Sequence, residues 1–265
     1  MSTSCENHRR WSGEFALAPG LLVFRGRIAD TPSHVHAAVQ VFLVASGSVS
    51  VDGRTTDVAS PGVIVASGRR HDVRAGPHAK GITAWVDPAS PLGIGLVPRT
   101  GSGVGRSEDA RAWLGTLSRP EVDGLISGSL DVALGRLHAL LVVGAASTQS
   151  GEMGGPHPAV TEATRLVPGL IGSGDPAALT LTRVADQVHL SADRLGRLVN
   201  EQLGLPFAAY VRWARLRAAL VAVAFEGRSF TDAAHAAGFS DSAHLSRVTR
   251  EMFGMTPTDM RAAVA

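Results

Sequence analysis

The feature that most restricts this chain is a segment that occurs twice, at an offset of 50 residues. Thr180 to Phe207 reads TLTRVADQVHLSADRLGRLVNEQLGLPF, and Phe230 to Pro257 reads FTDAAHAAGFSDSAHLSRVTREMFGMTP. Leu195 matches Leu245, Arg197 matches Arg247, Glu201 matches Glu251 and Gly204 matches Gly254. In both copies the spacing predicts a helix that stops at the glycine, a residue that accepts the left-handed backbone of a helix C-terminus. Between the copies, Phe207 to Ala224 (FAAYVRWARLRAALVAVA) holds neither Pro nor Gly and suits one connecting helix.

The second copy shows what the repeated unit is built to do. Ala234 is small enough for two helices to approach, Gly238 suits a tight turn, and Ser240 offers a hydroxyl to cap a second helix. Along that helix Leu245, Val248 and Met252 share one face, while Ser242, Ser246, Arg247 and Arg250 fall elsewhere. An exposed Arg and Ser face is what a recognition helix needs to read base edges and hold phosphates. A lone copy would read sooner as a surface helix with solvated arginines. Two copies at one offset, with arginine at the same place in each, weigh against that reading. Two such helices on one rigid connector can enter successive major grooves about 34 Å apart.

Charge balance does not announce this role. Net charge is +2, and residues 158–265 hold 11 Arg against 10 Asp or Glu, so the argument rests on where the arginines sit. Lys80 is the sole lysine, and Arg is the better reader of guanine and phosphate. Cys5 is the only cysteine, which excludes an intrachain disulfide and a cysteine-rich zinc site. No run approaches a membrane span and MSTSCENHRRWSGEF lacks a signal-peptide core, so a cytoplasmic protein with no membrane partner is expected.

The first half reads differently. Within residues 15–88, Val39 to Val44, Ser48 to Val51, Val63 to Ala66 and Ile82 to Val86 are short β-segments. Asp52-Gly53 and Pro61-Gly62 suit hairpin turns, which together suggest an antiparallel barrel or sandwich. Residues 90–105 read as a Gly- and Pro-rich connection, followed by helices near Ser107–Leu117 and Leu125–Val143. In the second, Leu130, Leu134, Leu137 and Leu141 form one apolar stripe, which serves either packing on the β-domain or the seam of a homodimer. The polar stretch from Gly144 is a linker, giving domains at 1–143 and 158–265 with 144–157 between them.

The stretch from Pro158 to Ala265 resembles the AraC/XylS family of bacterial transcription regulators, through LSADRLGRLVNEQLG, YVRWARLRAA and GFSDSAHLSRVTREMFGMTP. The resemblance implies a sequence-specific double-stranded DNA-binding regulator, not an enzyme. By the family pattern the first recognition helix presents Asp193, Gly196, Arg197 and Asn200, with Arg194 beside them, and the second presents Ser242, Ala243, Ser246, Arg247 and Arg250. Arg197 and Arg247 suit base edges, while Asn200 and Arg250 suit phosphates. His189 stands where the first turn usually has Gly, and Val199 and Thr249 replace a usual Phe, which lightens the helical core.

His34 and His36 are two apart and share strand parity with Gln40, and His71 follows a later strand. The pattern resembles that of cupins, in which His-x-His, a carboxylate and a later His hold a metal in a small β-barrel. Here Gln40 stands at the carboxylate position. These residues could hold Zn, Ni, Cu, Mn or Fe, or simply line a cavity for an organic effector. The expected architecture is α+β: a cupin-like antiparallel β-barrel with two helices that binds a small-molecule or metal effector, then an all-α domain of two helix-turn-helix units. The competing reading is a cupin metalloenzyme, an oxygenase or isomerase, with a helical appendage.

Overall fold

The computed structural model describes residues 11–59, 61–100, 119–146 and 156–262. The chain divides into two compact units, one of Met1–Glu152 with Thr258–Ala265 and one of Met153–Pro257. The architecture is α+β, as the sequence predicts.

Among the described residues of the first unit, nine strands form two antiparallel sheets. Strands β1 (Ser12–Ala18), β2 (Leu21–Arg27), β9 (Lys80–Val86), β4 (Val39–Ser46) and β7 (Gly62–Val65) make one sheet in that order. Strands β3 (Thr31–His34), β8 (His71–Ala75), β5 (Ser48–Val51) and β6 (Arg54–Asp57) make the other. The expected barrel is therefore not closed: among the described residues no ladder joins the two sheets.

Strand β4 shows why the larger sheet reads as a continuous apolar run. Its Val39, Val41 and Leu43 join Leu21, Val23, Ile82 and Ala84 in one core, which is completed by helices α1 (Pro91–Thr100), α2 (Arg119–Ile126) and α3 (Leu130–Ala146). The alternate residues Phe42 and Val44 pack with Val49, Val51 and Val73 of the smaller sheet. A strand covered on both faces loses the polar alternation that marks a half-exposed one.

Several local expectations change. Asp52 and Gly53 both take positive φ and link β5 to β6 as a tight hairpin, as expected. Pro61-Gly62 is not a hairpin turn, because β7 pairs with β4 and the chain passes from one sheet to the other there. The stretch read as a connection at 90–105 contains helix α1. The helix expected at Ser107–Leu117 lies outside the described residues. That expected at Leu125–Val143 is two helices, broken at Gly128 with φ +84°. Leu137 and Leu141 are buried in the helix-covered core and Leu134 packs against it, with Leu130 half-buried. This corrects the dimer-seam expectation: the stripe is taken up by the unit's own core, and a homodimer would need another surface.

The second unit is helical: α4 (Pro158–Gly172), a short 3-10 turn (Pro176–Leu179), α5 (Leu181–Gln187), α6 (Ala192–Leu203), α7 (Phe207–Ala224), α8 (Phe230–Ala236) and α9 (Ser242–Phe253). A last helix, α10, spans Pro257–Ala262. Helix α7 covers the connector expected from the sequence and buries Tyr210, Trp213, Leu216 and Leu220. Among the described residues no helix is long and apolar enough to cross a membrane.

Candidate nucleic-acid interface and histidine cluster

Each repeated segment folds into two short helices joined by a tight turn. In the first, α5 is capped by the Thr180 side chain accepting the Arg183 backbone N–H, and α6 by Ser191 accepting that of Arg194. In the second, α8 is capped by Ser229 accepting the Asp232 N–H, and α9 by Asp241 accepting that of His244. The side chain expected to cap α9 is thus displaced one residue: Ser240 Oγ instead lies 3.1 Å from His244 Nδ1. The His244 backbone N–H holds the Asp241 carboxyl below the usual carboxylate range, with help from Ser240 and nearby Arg247. Both α6 and α9 end on left-handed glycines, Gly204 and Gly254, as the sequence predicts.

Burial separates each helix into an inner and an outer face. Helix α6 buries Leu195, Val199 and Leu203 and leaves Asp193, Arg194, Arg197 and Asn200 at least partly exposed. Helix α9 buries Leu245, Val248, Thr249, Met252 and Phe253, and keeps Ser242, Ala243, Ser246, Arg247 and Arg250 off that face, exposed or half-buried. Gly196 is a packing position rather than a reading one, because a Cβ there would meet Leu181 Cδ2 at 3.3 Å, where α5 and α6 approach.

The light core expected around Thr249 is satisfied locally. Its buried hydroxyl donates to the Leu245 carbonyl at 2.8 Å, a bond back along the helix that leaves the hydroxyl partnered. Beside it Phe253 meets Trp213 of α7 edge-on, with ring centroids 6.0 Å apart.

Between the two copies lies a cleft of about 1010 Å³. Its walls include Asp193, Gly196, Arg197 and Asn200 of α6, Arg212 and Arg215 of α7, and His244 of α9. Arg212 pairs with Glu251 of α9, and Arg215 Nη1 donates to the Gly238 carbonyl at 3.4 Å. Sequence reasoning missed these two arginines because α7 reads as a plain connector. The signal was present in YVRWARLR, where they recur at a spacing of three.

The histidines form a separate cluster in the β unit. His34 closes β3, His36 lies in the connection to β4, Gln40 is in β4 and His71 opens β8. His34 and His71 are register partners, and all four residues are buried. One ring nitrogen from each histidine lies within 4.8 Å of the others. Gln40 Oε1 is 2.9 Å from both His36 Nε2 and His71 Nε2. The loops that carry the rings are tied together, with Ser67 Oγ donating to Ala37 O at 2.6 Å and Gly68 N–H to His36 O at 2.9 Å. Burial, then the neighbouring His71, lowers the pKa of His34 to about 4 and that of His36 to about 3, and burial lowers His71 as well. All four residues named from the sequence are therefore brought together, but not by strand parity, since His34 ends β3, His36 lies in the connection and Gln40 belongs to β4 of the other sheet.

A family model described as a helix-turn-helix domain matches residues 184–263. The HTH-type transcriptional activator RhaS of Escherichia coli is 40% identical over 78 residues, 29% of this chain and 28% of the relative. The chain thus matches little more than a quarter of the length of that curated relative. A transcriptional regulator of Chromobacterium violaceum, described as an AraC-type DNA-binding domain-containing protein, is 31% identical across 41% of this chain and 93% of its own, with a TM-score of 0.38. Over these C-terminal residues the chain is similar to AraC-type DNA-binding regulators. Across the whole chain the fold is similar to that of ToxT from Vibrio cholerae, of which one apo structure covers 95% of this chain and 100% of its own at 11% identity and a TM-score of 0.57. Another ToxT structure, bound to an unsaturated fatty acid, covers 94% of this chain and 96% of its own at 12% identity and a TM-score of 0.55. The helix-turn-helix match fits the doubled capped helices, and the ToxT likeness supports the order of a β-rich unit before a helical one.

Proposed function

We propose that this chain is a sequence-specific DNA-binding transcription regulator of the AraC type, with its β unit receiving a small-molecule or metal effector. The observation that carries the reading is the pair of helices α6 and α9. Each is capped, buried on one face and arginine-bearing on the other, and they are joined by a single helix. In this reading Arg197 and Arg247 read base edges, each contributing about 1–3 kcal/mol of discrimination if bidentate to guanine. Asn200, Arg194 and Arg250 grip phosphates, and Ser242 and Ser246 assist at the start of α9. Residues 158–265 form the DNA-binding domain, 1–143 the sensory domain and 144–157 the linker. RhaS is a transcriptional activator by name, and a ToxT structure holds a fatty acid. Both support a regulator with a ligand-receiving half. A metalloenzyme would give no reason for an arginine-bearing helix to occur twice at one offset.

An effector shifts such a protein only by binding one functional state more tightly than the other. The direct test is a gel shift on the DNA flanking the chain's own gene, at fixed salt because the phosphate contribution alone can imitate specificity. The wild type is expected to form a discrete complex that Arg247→Ala weakens and makes less selective. Equal binding by both proteins would refute the role of Arg247, and failure to bind any nearby DNA would refute the regulator reading.

A further inference from the structure

The histidine cluster carries a conclusion that the pattern of residues alone does not. Each ring has one nitrogen against a backbone carbonyl: His34 Nδ1 to Pro32 O at 2.9 Å, His36 Nδ1 to Ala38 O at 2.9 Å and His71 Nδ1 to Arg69 O at 3.0 Å. A carbonyl only accepts, so each Nδ1 carries the proton and donates it. A neutral ring protonated at Nδ1 keeps its lone pair on Nε2. His36 Nε2 and His71 Nε2 then face Gln40 Oε1 at 2.9 Å, and that oxygen is also an acceptor. Buried acceptors with no proton between them repel, and burial makes the conflict costly.

We propose that this conflict is resolved by a divalent transition-metal ion, held by the Nε2 atoms of His34, His36 and His71 and by Gln40 Oε1. The proposal deepens the sensory half of the function proposed above and is independent of its DNA-binding half. The donor set fits such an ion. Three imidazoles and one amide oxygen suit Zn, Cu or Ni better than Mg or Ca, which require oxygen ligands. The carbonyls that hold each Nδ1 act as the outer partners usual for metal-bound histidine, fixing both tautomer and ring plane. Bonds of about 2.0–2.1 Å require the nitrogens to draw in from their present separations, a small inward turn of rings already aimed at one point. With each Nδ1 donating to a carbonyl, the Nε2 lone pairs are free to face an ion. Because no donor is anionic, the bound ion keeps its full double charge, which favours an anionic or oxyanion species at any remaining position.

The competing arrangement needs no ion. If the Gln40 amide is turned over, its NH2 donates to His36 and His71, and the pair is satisfied. The two arrangements differ in what the full-length protein retains. After chelation, the protein is mixed with Zn(II), Ni(II) or Co(II) and desalted, and metal content, the Co(II) visible spectrum and melting temperature are read. The proposal expects a single retained equivalent, cobalt bands of a low-coordinate nitrogen-rich site, and a raised melting temperature. His34→Ala, at the rim and the least buried of the three, should weaken retention ~100-fold or more, since loss of an outer partner alone costs about 10–100-fold. Gln40→Glu keeps all donors and adds a negative charge, so it should bind more tightly than the wild type.

A folded wild type that retains no metal overturns the proposal in favour of the turned amide. Retention unchanged by His34→Ala together with no tightening by Gln40→Glu overturns the assignment of the ligands. The gel shift run on the same samples separates the two readings. A protein that shifts DNA but holds no metal sinks only this inference, and one that holds metal but shifts no DNA sinks only the regulator.

Discussion

The two helix-turn-helix units solve one problem with different local chemistry. The first turn is made by His189 at φ +58° and the second by Gly238 at φ +78°. The second turn is also one residue longer: His189 and Gly238 stand 49 apart, while the caps Ser191 and Asp241 stand 50 apart. The first recognition helix is capped by a neutral hydroxyl and the second by a carboxylate. What is preserved is the buried leucine, the arginine two residues beyond it and the terminal glycine. What varies is the means of entering the helix. The arginine-bearing face is thus held constant while the turn that delivers it is free to differ.

The largest effects should come from what the units share. Leu195→Ala and Leu245→Ala each remove a fully buried side chain, and each should destabilise the helical unit by about 2–5 kcal/mol in denaturant melts. A cheap substitution in one copy alone would show that the two cores are not equivalent.

Next come the two arginines proposed to read bases. Arg197→Ala and Arg247→Ala should each relax discrimination by about 1–3 kcal/mol in competition binding against mutated sites, with stability unchanged. If only one matters, the other unit serves to anchor rather than to read.

The caps should differ in kind. Ser191→Ala should cost about 1 kcal/mol at any pH. Asp241→Ala should cost stability only where the carboxylate is ionised. Its folded pKa is lowered, so its contribution is present above the ordinary carboxylate value and is lost as pH falls through the lowered one. Melts of both variants against their parent across the acid range check this, and a pH-independent effect of Asp241→Ala would remove the charge argument.

The smallest effects lie in the turns. His189→Gly should stabilise by up to ~1 kcal/mol by relieving a left-handed non-glycine residue, while Gly238→Ala should destabilise by about as much. Thermal melts showing the opposite signs would mean that the His189 side chain holds its own turn in place.

Sequence is most informative where chemistry repeats. The doubled segment, the connector and the terminal glycines are all legible because each depends on local spacing. The displaced cap is not, since aligning the copies on their recognition helices hides the extra residue before Asp241. Helix α1 is hidden because its Gly and Pro content suggests a loop. A Cβ on Gly93 would meet the Asp87 carbonyl oxygen at 2.0 Å, so glycine is there to let the helix lie against the end of the strand before it. Strand β2 carries no clean alternation, because four consecutive residues, Leu21 to Phe24, are buried. For the cluster, the close spacing of His34, His36 and Gln40 brings the residues out, but that they come from two sheets, and which ring nitrogen faces inward, depends on the chain crossing between sheets and on carbonyls two residues away that no pattern reveals.

The cluster draws its donors from both sheets: Gln40 from the five-stranded one, His34 and His71 from the four-stranded one. A single ion there would act as a rivet through two plates. Occupancy at about 100 times the dissociation constant adds about 2.7 kcal/mol to the folded state relative to the unfolded one, through a contact that joins the two sheets. Loss of the ion would then weaken the join between the two sheets before it touched either core.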